Sequence, residues 1–271
     1  MLKFRKLAAL AMSIAMLTAV FTGCGDEENS SSAKKSDSES SESESSKSEE
    51  SAPAASAGDV LNFTPPEKGE EIIVMTIKDY GDVKIKLFPE QAEKGVENFT
   101  GLAKDGYYDG LIFHRVINNF MIQGGDPLGN GTGGESMWGE KFDGGTSPDL
   151  THVAGAVAYA NSGSTATNGS QFYIVTGEKY DESTLNDLTS YYGISMSDNT
   201  KKLYTEIGGA PWLDGGYTIF GQVFDGLDII FDIQSVATGA NDKPEKDVVI
   251  EKVSVEKYDG GDVKFYLSDY E

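Results

Sequence analysis

Arg115, Phe120, Met121 and Gln123 fall within one short stretch, Phe113-His-Arg-Val-Ile-Asn-Asn-Phe-Met-Ile-Gln-Gly-Gly-Asp-Pro127. Their spacing suits two neighbouring extended segments, which lets a guanidinium, an apolar Phe-Met floor and an amide converge on one groove. A guanidinium is always charged and carries its donors in a rigid fork, which lysine does not reproduce. Such a set favours chemistry that needs a fixed cationic donor beside an apolar pocket, and no broken bond.

Other chemistries lack their residues. None of Ser162, Ser164 and Ser170 sits in a Gly-x-Ser-x-Gly elbow, and the single cysteine, Cys24, lies near the N-terminus, so no nucleophile pairs with a base. His114 and His152 are the only histidines and have no third donor nearby, so no metal site is expected. No cofactor is expected either. Gly129-Asn-Gly131-Thr-Gly133-Gly134 matches the dinucleotide-binding pattern letter for letter, but the sequel through Phe142 contains Gly139 and no helical stripe. Those glycines are expected to serve a loop packed close to other backbone.

The elements that must position the groove are mostly strands. Ile72 to Ile77 and Val83 to Leu87 flank Asp79-Tyr80-Gly81-Asp82 and predict a hairpin. Apolar residues at Ala92, Val96, Phe99 and Ala103 predict a helix opening at Pro89 and running to Lys104. Short β-like runs follow at Ile112 to Val116, Phe120 to Gln123, Val153 to Ala160, Gln171 to Thr176, Ile219 to Phe224 and Val248 to Glu256, with a second helix at Leu227 to Val236. Many short strands with glycine-rich connections predict a mainly β barrel or sandwich. Residues 177–211 interrupt this rhythm with two polar, weakly helical pieces, Glu182 to Tyr192 and Asp198 to Ile207, and read as a surface insertion. The tail from Asp259 to Glu271 alternates Val263, Phe265, Tyr266 and Leu267 with polar residues, which suits either an edge strand or a loose end.

Ahead of this domain the composition changes. Lys3, Arg5 and Lys6 precede an uncharged run from Leu7 to Gly23, the design of a secretory signal over residues 1–23. The ending Phe-Thr-Gly-Cys resembles a bacterial lipobox, which implies cleavage before Cys24, lipidation of its thiol and anchorage outside the cytoplasmic membrane. Residues 24–60 are Ser/Glu-rich with almost no large apolar side chain, and are expected to be a disordered linker spanning roughly 30 to 36 Å. Residues 61–271 hold 34 acidic against 16 basic side chains. So acidic a domain repels phosphate backbones, and nucleic acid is not an expected partner.

Four ordered segments, Phe113 to Asp126, Asn130 to Phe142, Tyr159 to Val175 and Trp212 to Gly221, resemble the cyclophilins, peptidyl-prolyl cis-trans isomerases, and the likeness runs from about residue 71 to 258. It implies a closed antiparallel eight-stranded barrel capped by two helices, with an isomerase domain at 61–258. Arg115 then matches the family's catalytic arginine, Phe120 and Met121 the floor of the proline pocket, and Gln123 the glutamine that binds the peptide backbone. Ala160 and Asn161 match the edge that holds the residue before proline, Gln171 a second groove amide, and Trp212 and Leu213 the far wall, where cyclosporin-type inhibitors also bind. Tyr173 stands where the family commonly has Phe, and Tyr217 where it has His. The added Tyr173 hydroxyl needs a partner or water.

A prolyl bond rotates over a barrier of about 18–20 kcal/mol because twisting destroys amide resonance. A cationic donor that meets the twisted state better than either planar one lowers that barrier without covalent steps. The resemblance therefore implies a folding isomerase for proline-containing unfolded or exported polypeptides. The alternative is a non-catalytic chaperone or adaptor that holds proline segments in the same groove.

Overall fold

In the computed structural model, which describes residues 60–270, the alternating apolar runs become eight antiparallel strands. They are β1 (Glu71–Ile77), β2 (Gly81–Leu87), β3 (Arg115–Ile117), β4 (Met121–Gly124), β5 (Ala156–Tyr159), β6 (Phe172–Val175), β7 (Ile219–Asp225) and β8 (Ile250–Lys257). The ladder order is β3-β4-β6-β5-β7-β2-β1-β8. The expected signal peptide, Cys24 and the linker up to residue 59 lie outside the described residues.

The expected closed barrel is corrected to an open, curled sheet. Its end strands, β3 and β8, form no ladder with each other; only an isolated antiparallel bridge joins Ile112 to Val249 just ahead of them. Phe113 N donates to Val248 O at 3.0 Å and Ile250 N to Leu111 O at 2.8 Å around that bridge. The run predicted from Ile112 to Val116 has therefore split. Its first residues meet the start of β8, while Arg115, Val116 and Ile117 turn to pair with Gln123, Ile122 and Met121.

Strand alternation feeds separate apolar clusters, two of which meet at β5 and β6. Every residue of β5 and β6 is buried. Val157, Tyr159, Phe172 and Ile174 point into the main core with Ile73, Ile85 and Phe220, whereas Ala156, Ala158, Tyr173 and Val175 join a second cluster with Met121 and Leu213. Because successive side chains of a strand face opposite ways, one pair of strands serves both clusters. The second cluster underlies the candidate site.

Helix α1 (Glu93–Lys104) buries Phe99, Leu102 and Ala103 against the main core. It starts later than Pro89, because Phe88 O takes the Gln91 and Ala92 N–H groups in a turn first. The insertion holds α2 (Glu182–Tyr192), capped by the Asp181 side chain on Thr184 N, and α3 (Asp198–Glu206), capped by Ser197 on Thr200 N. It is less superficial than expected: Leu185 and Tyr204 are wholly buried. The second core helix, α4 (Leu227–Gln234), follows Gly226, whose φ of 87° an L-side chain would strain.

Both flanks of the domain are fastened. Asn62 is wholly buried; its Nδ2 donates to Thr151 O at 3.0 Å and to Gln222 Oε1 at 2.9 Å. The C-terminal segment forms no strand, yet it packs: Phe265 meets Phe63 edge-on at 5.5 Å and Tyr266 stacks on Phe63 at 5.5 Å.

Candidate active site

Strand register aligns the polar residues of the groove. Arg115 on β3 lies opposite Gln123 on β4, Gln123 lies opposite Tyr173 on β6, and Tyr173 lies opposite Ala158 on β5. Residues opposite one another share a face, so the guanidinium, the amide and the phenol project to one side of the sheet. Gln123 Nε2 donates to Gln171 Oε1 at 2.9 Å, and Gln171 Nε2 donates in turn to Gly131 O and Gly133 O at 3.1 and 2.8 Å. That chain fixes both amides against the 126–134 loop.

Beside the polar row lies an apolar basin. Met121, Tyr173 and Leu213 are buried in the second cluster, and Phe120, Ala160, Trp212 and Tyr217 pack half-buried against it. The Phe120 and Trp212 rings are 5.6 Å apart, and Tyr173 meets Tyr217 edge-on at 5.9 Å. Asn161 Nδ2 donates to Gly216 O at 3.1 Å, which ties that edge to the segment carrying Tyr217. Trp212 Nε1 is buried with no hydrogen-bond partner among the described residues. All eleven expected groove residues thus meet in one region.

Arg115 has a partner that sequence reasoning missed. Its Nε donates to Asp242 Oδ2 at 3.3 Å across 127 positions of chain. Asp242 and its neighbour Asn241 both take left-handed backbone, with φ of 58° and 59°. Asp and Asn tolerate that region better than most residues. Nothing in the sequence around Asp242 signals the contact.

Tyr173 also has an unforeseen partner. Its hydroxyl lies 3.0 Å from His152 Nε2, and the opposite ring nitrogen, Nδ1, lies 2.8 Å from Asp214 Oδ1. Burial pushes the Tyr173 pKa well above 10.0, with Tyr217 and Asp214 adding to the rise. The usable signal in the sequence was the pair of facts that His152 is one of two histidines and that Asp214 follows Trp212-Leu213.

The glycine-rich segment forms a loop and opens no helix. Asp126 accepts from Leu128, Asn130 and Gly131 N–H groups at 2.8, 3.0 and 2.6 Å. Burial opposes ionisation of this carboxyl, but those backbone bonds, with Gly133, outweigh it and hold the pKa below its ordinary value. A Cβ at Gly134 would collide with Ser170 Oγ, which is why glycine stands there. Next to Arg115, burial lowers the His114 pKa against the pull of Asp126, which favours the neutral ring.

Residues 72–255 match the family model described as cyclophilin type peptidyl-prolyl cis-trans isomerase. A Staphylococcus haemolyticus protein named "Putative peptidyl-prolyl cis-trans isomerase" is 47% identical over 186 residues, which are 69% of this chain and 92% of that protein. A Streptococcus pyogenes protein named "Putative bifunctional phosphatase/peptidyl-prolyl cis-trans isomerase" is 45% identical over 200 residues, and the chain spans only 40% of its length. Among solved structures, a Cryptosporidium parvum cyclophilin type peptidyl-prolyl cis-trans isomerase crystallised in the presence of the dipeptide Ala-Pro superposes with a TM-score of 0.55 at 30% identity. That match covers 69% of this chain and 99% of the other.

Proposed function

The chain belongs to the cyclophilin type peptidyl-prolyl cis-trans isomerase family, and we propose that it rotates Xaa-Pro bonds in the groove beside Arg115. The observation that carries this reading is the cross-strand row Arg115, Gln123, Tyr173, set beside the buried Met121 and Leu213. The proline ring enters the apolar basin of Phe120, Met121, Tyr173 and Leu213, with Trp212 and Tyr217 as its walls. Gln123, Asn161, Gln171 and the backbone at Ala160 hold the flanking peptide. The carbonyl before proline is then the part left free to turn.

As the bond twists, the proline nitrogen regains its lone pair. Arg115 supplies donors from its Nη atoms to the twisted amide, while Nε is kept by Asp242. Since the donors are fixed before the bond turns, little reorganisation opposes the twisted state. No proton is transferred and no bond breaks.

The supporting experiment is cis-trans exchange of a short Xaa-Pro peptide. The folded wild-type domain is expected to accelerate it, and Arg115→Ala to lose about a hundredfold to a thousandfold of kcat, the range for removing one preorganised donor. A folded Arg115→Ala variant with wild-type rate overturns the mechanism. Cyclosporin-type inhibitors are proposed to occupy the same basin, against the half-buried Trp212 ring.

We further propose export and anchorage. Residues 1–23 act as signal peptide, Cys24 carries the lipid, and the polar linker to residue 60 tethers the domain at the outer side of the cytoplasmic membrane, among newly exported clients. The lone cysteine after a positive-then-apolar segment supports this. Cys24→Ser is expected to move the protein from the membrane fraction to the soluble one.

A further inference from the structure

We infer that the insertion at 177–211 sets the geometry of the proline pocket, through a buried hydrogen-bond chain in which Tyr204, Asp214 and His152 are positioning residues for Tyr173 and for the Trp212–Leu213 wall. This rests on the isomerase reading above and adds to it a specificity determinant outside the groove.

The chain starts in the insertion. Tyr204 on α3 is wholly buried, and its hydroxyl donates to Asp214 Oδ2 at 2.7 Å. Thr151 Oγ1 lies 2.7 Å from the same oxygen and 2.6 Å from the Tyr204 hydroxyl, so the two hydroxyl protons are shared among three contacts. The other carboxylate oxygen, Oδ1, accepts from His152 N and faces His152 Nδ1, both at 2.8 Å. A carboxylate can only accept, so Nδ1 carries a proton; in the neutral ring Nε2 is then the acceptor and the Tyr173 hydroxyl donates to it. The proton order runs one way from Tyr173 to Asp214, and two hydroxyls, a backbone N–H and the imidazole converge on the carboxylate.

Its position makes the chain more than a way to bury polar groups. Asp214 directly follows the short 3₁₀ turn Pro211–Leu213 that carries Trp212 and Leu213. The turn's other end is tied to the same histidine, because Ala210 N donates to His152 O at 2.8 Å. Tyr180, at the start of the insertion, lies edge-on to Trp212 at 6.4 Å and donates its hydroxyl to Gly209 O at 3.3 Å. Floor and wall of the basin are thus pinned to one wholly buried imidazole, and the insertion supplies the outermost bond. A ligand site needs its groups held to within about 0.5 Å by packing and supporting hydrogen bonds together.

The test uses the full chain as wild type, Tyr204→Phe, Tyr173→Phe and the double variant. Tyr204→Phe keeps the ring and removes only the hydroxyl, so the fold is expected to persist. KM for an Xaa-Pro peptide is expected to rise about threefold to tenfold, the range of one net hydrogen bond, with kcat within about twofold. In the Tyr173→Phe background the same change is expected to move KM by less than about twofold, since the chain is already cut at the pocket. Nitrogen-15 NMR of the two histidines should show one Nδ1-protonated ring whose signal shifts in Tyr204→Phe. Unchanged KM in Tyr204→Phe, or two effects that simply multiply, overturns the inference while leaving the isomerase intact. If the wild type fails to isomerise, the isomerase reading falls instead, and peptide affinity measured by titration replaces KM in the same comparison.

Discussion

Arg115 is presented to the groove by an ion pair whose members remain 31% and 47% exposed. Pairs of that exposure contribute only about 0–1 kcal/mol and are screened by salt. Asp242 therefore aims the guanidinium more than it stabilises the fold. Asp242→Asn is expected to lower kcat by about twofold to fivefold with KM little changed and the melting temperature unmoved, and the wild type should approach the same kcat as salt is raised to about 1 M. A rise in kcat on substitution would show that Asp242 competes with the substrate for the arginine. Tyr173 illustrates the same principle in a buried setting. An extra hydroxyl in an apolar basin is costly unless paired, and His152 pairs it.

At the scale of elements, the decisive feature is that β5 and β6 are buried on both faces and so carry one core on each. A groove built on such strands inherits the rigidity of the main core. The insertion joins this frame at Gly208-Gly209, where Gly209 bridges to both Val153 and Glu178. A Cβ at Gly209 would run into His152 O, and its φ of 151° is unfavourable for an L-side chain. Gly209→Ala is expected to destabilise the domain by about 2–4 kcal/mol, read as a shift in the urea midpoint with little change in slope. A variant as stable as wild type would mean that the insertion's return is pliable and its contact with His152 incidental.

For the whole molecule, Tyr108, Tyr159, Tyr173 and Tyr204 are among the tyrosines buried in the folded state. Burial is the first cause that raises each of their pKa values above 10.0. An unfolded chain releases those protons near pH 10, the folded one only at higher pH. Stability from this source is thus fully present below about pH 10 and declines above it, by about 1.4 kcal/mol per pH unit for each tyrosine kept neutral. Urea midpoints measured from pH 8 to 11 should be flat and then fall steeply; a flat profile throughout would mean that these phenols ionise without unfolding.

Residue order by itself placed most of the strands, the two core helices and the insertion's two helices, because periodicity of apolar side chains is a local property. Glu182–Tyr192 begins and ends as its capping residues Asp181 and Gly193 dictate. Family order also identified the eleven groove residues, whose roles remain assigned by resemblance to matched positions. What it left open depends on distance along the chain. The Arg115–Asp242 pair spans 127 positions, His152 meets Asp214 across 62, and the curled sheet forms no ladder between its end strands β3 and β8 although both read as ordinary strands. Such contacts are chosen by how the sheet curls and which side chains it then brings face to face. Only the tertiary structure decided that the arginine is held by a carboxylate, and that a polar insertion reaches the floor of the groove through one buried histidine.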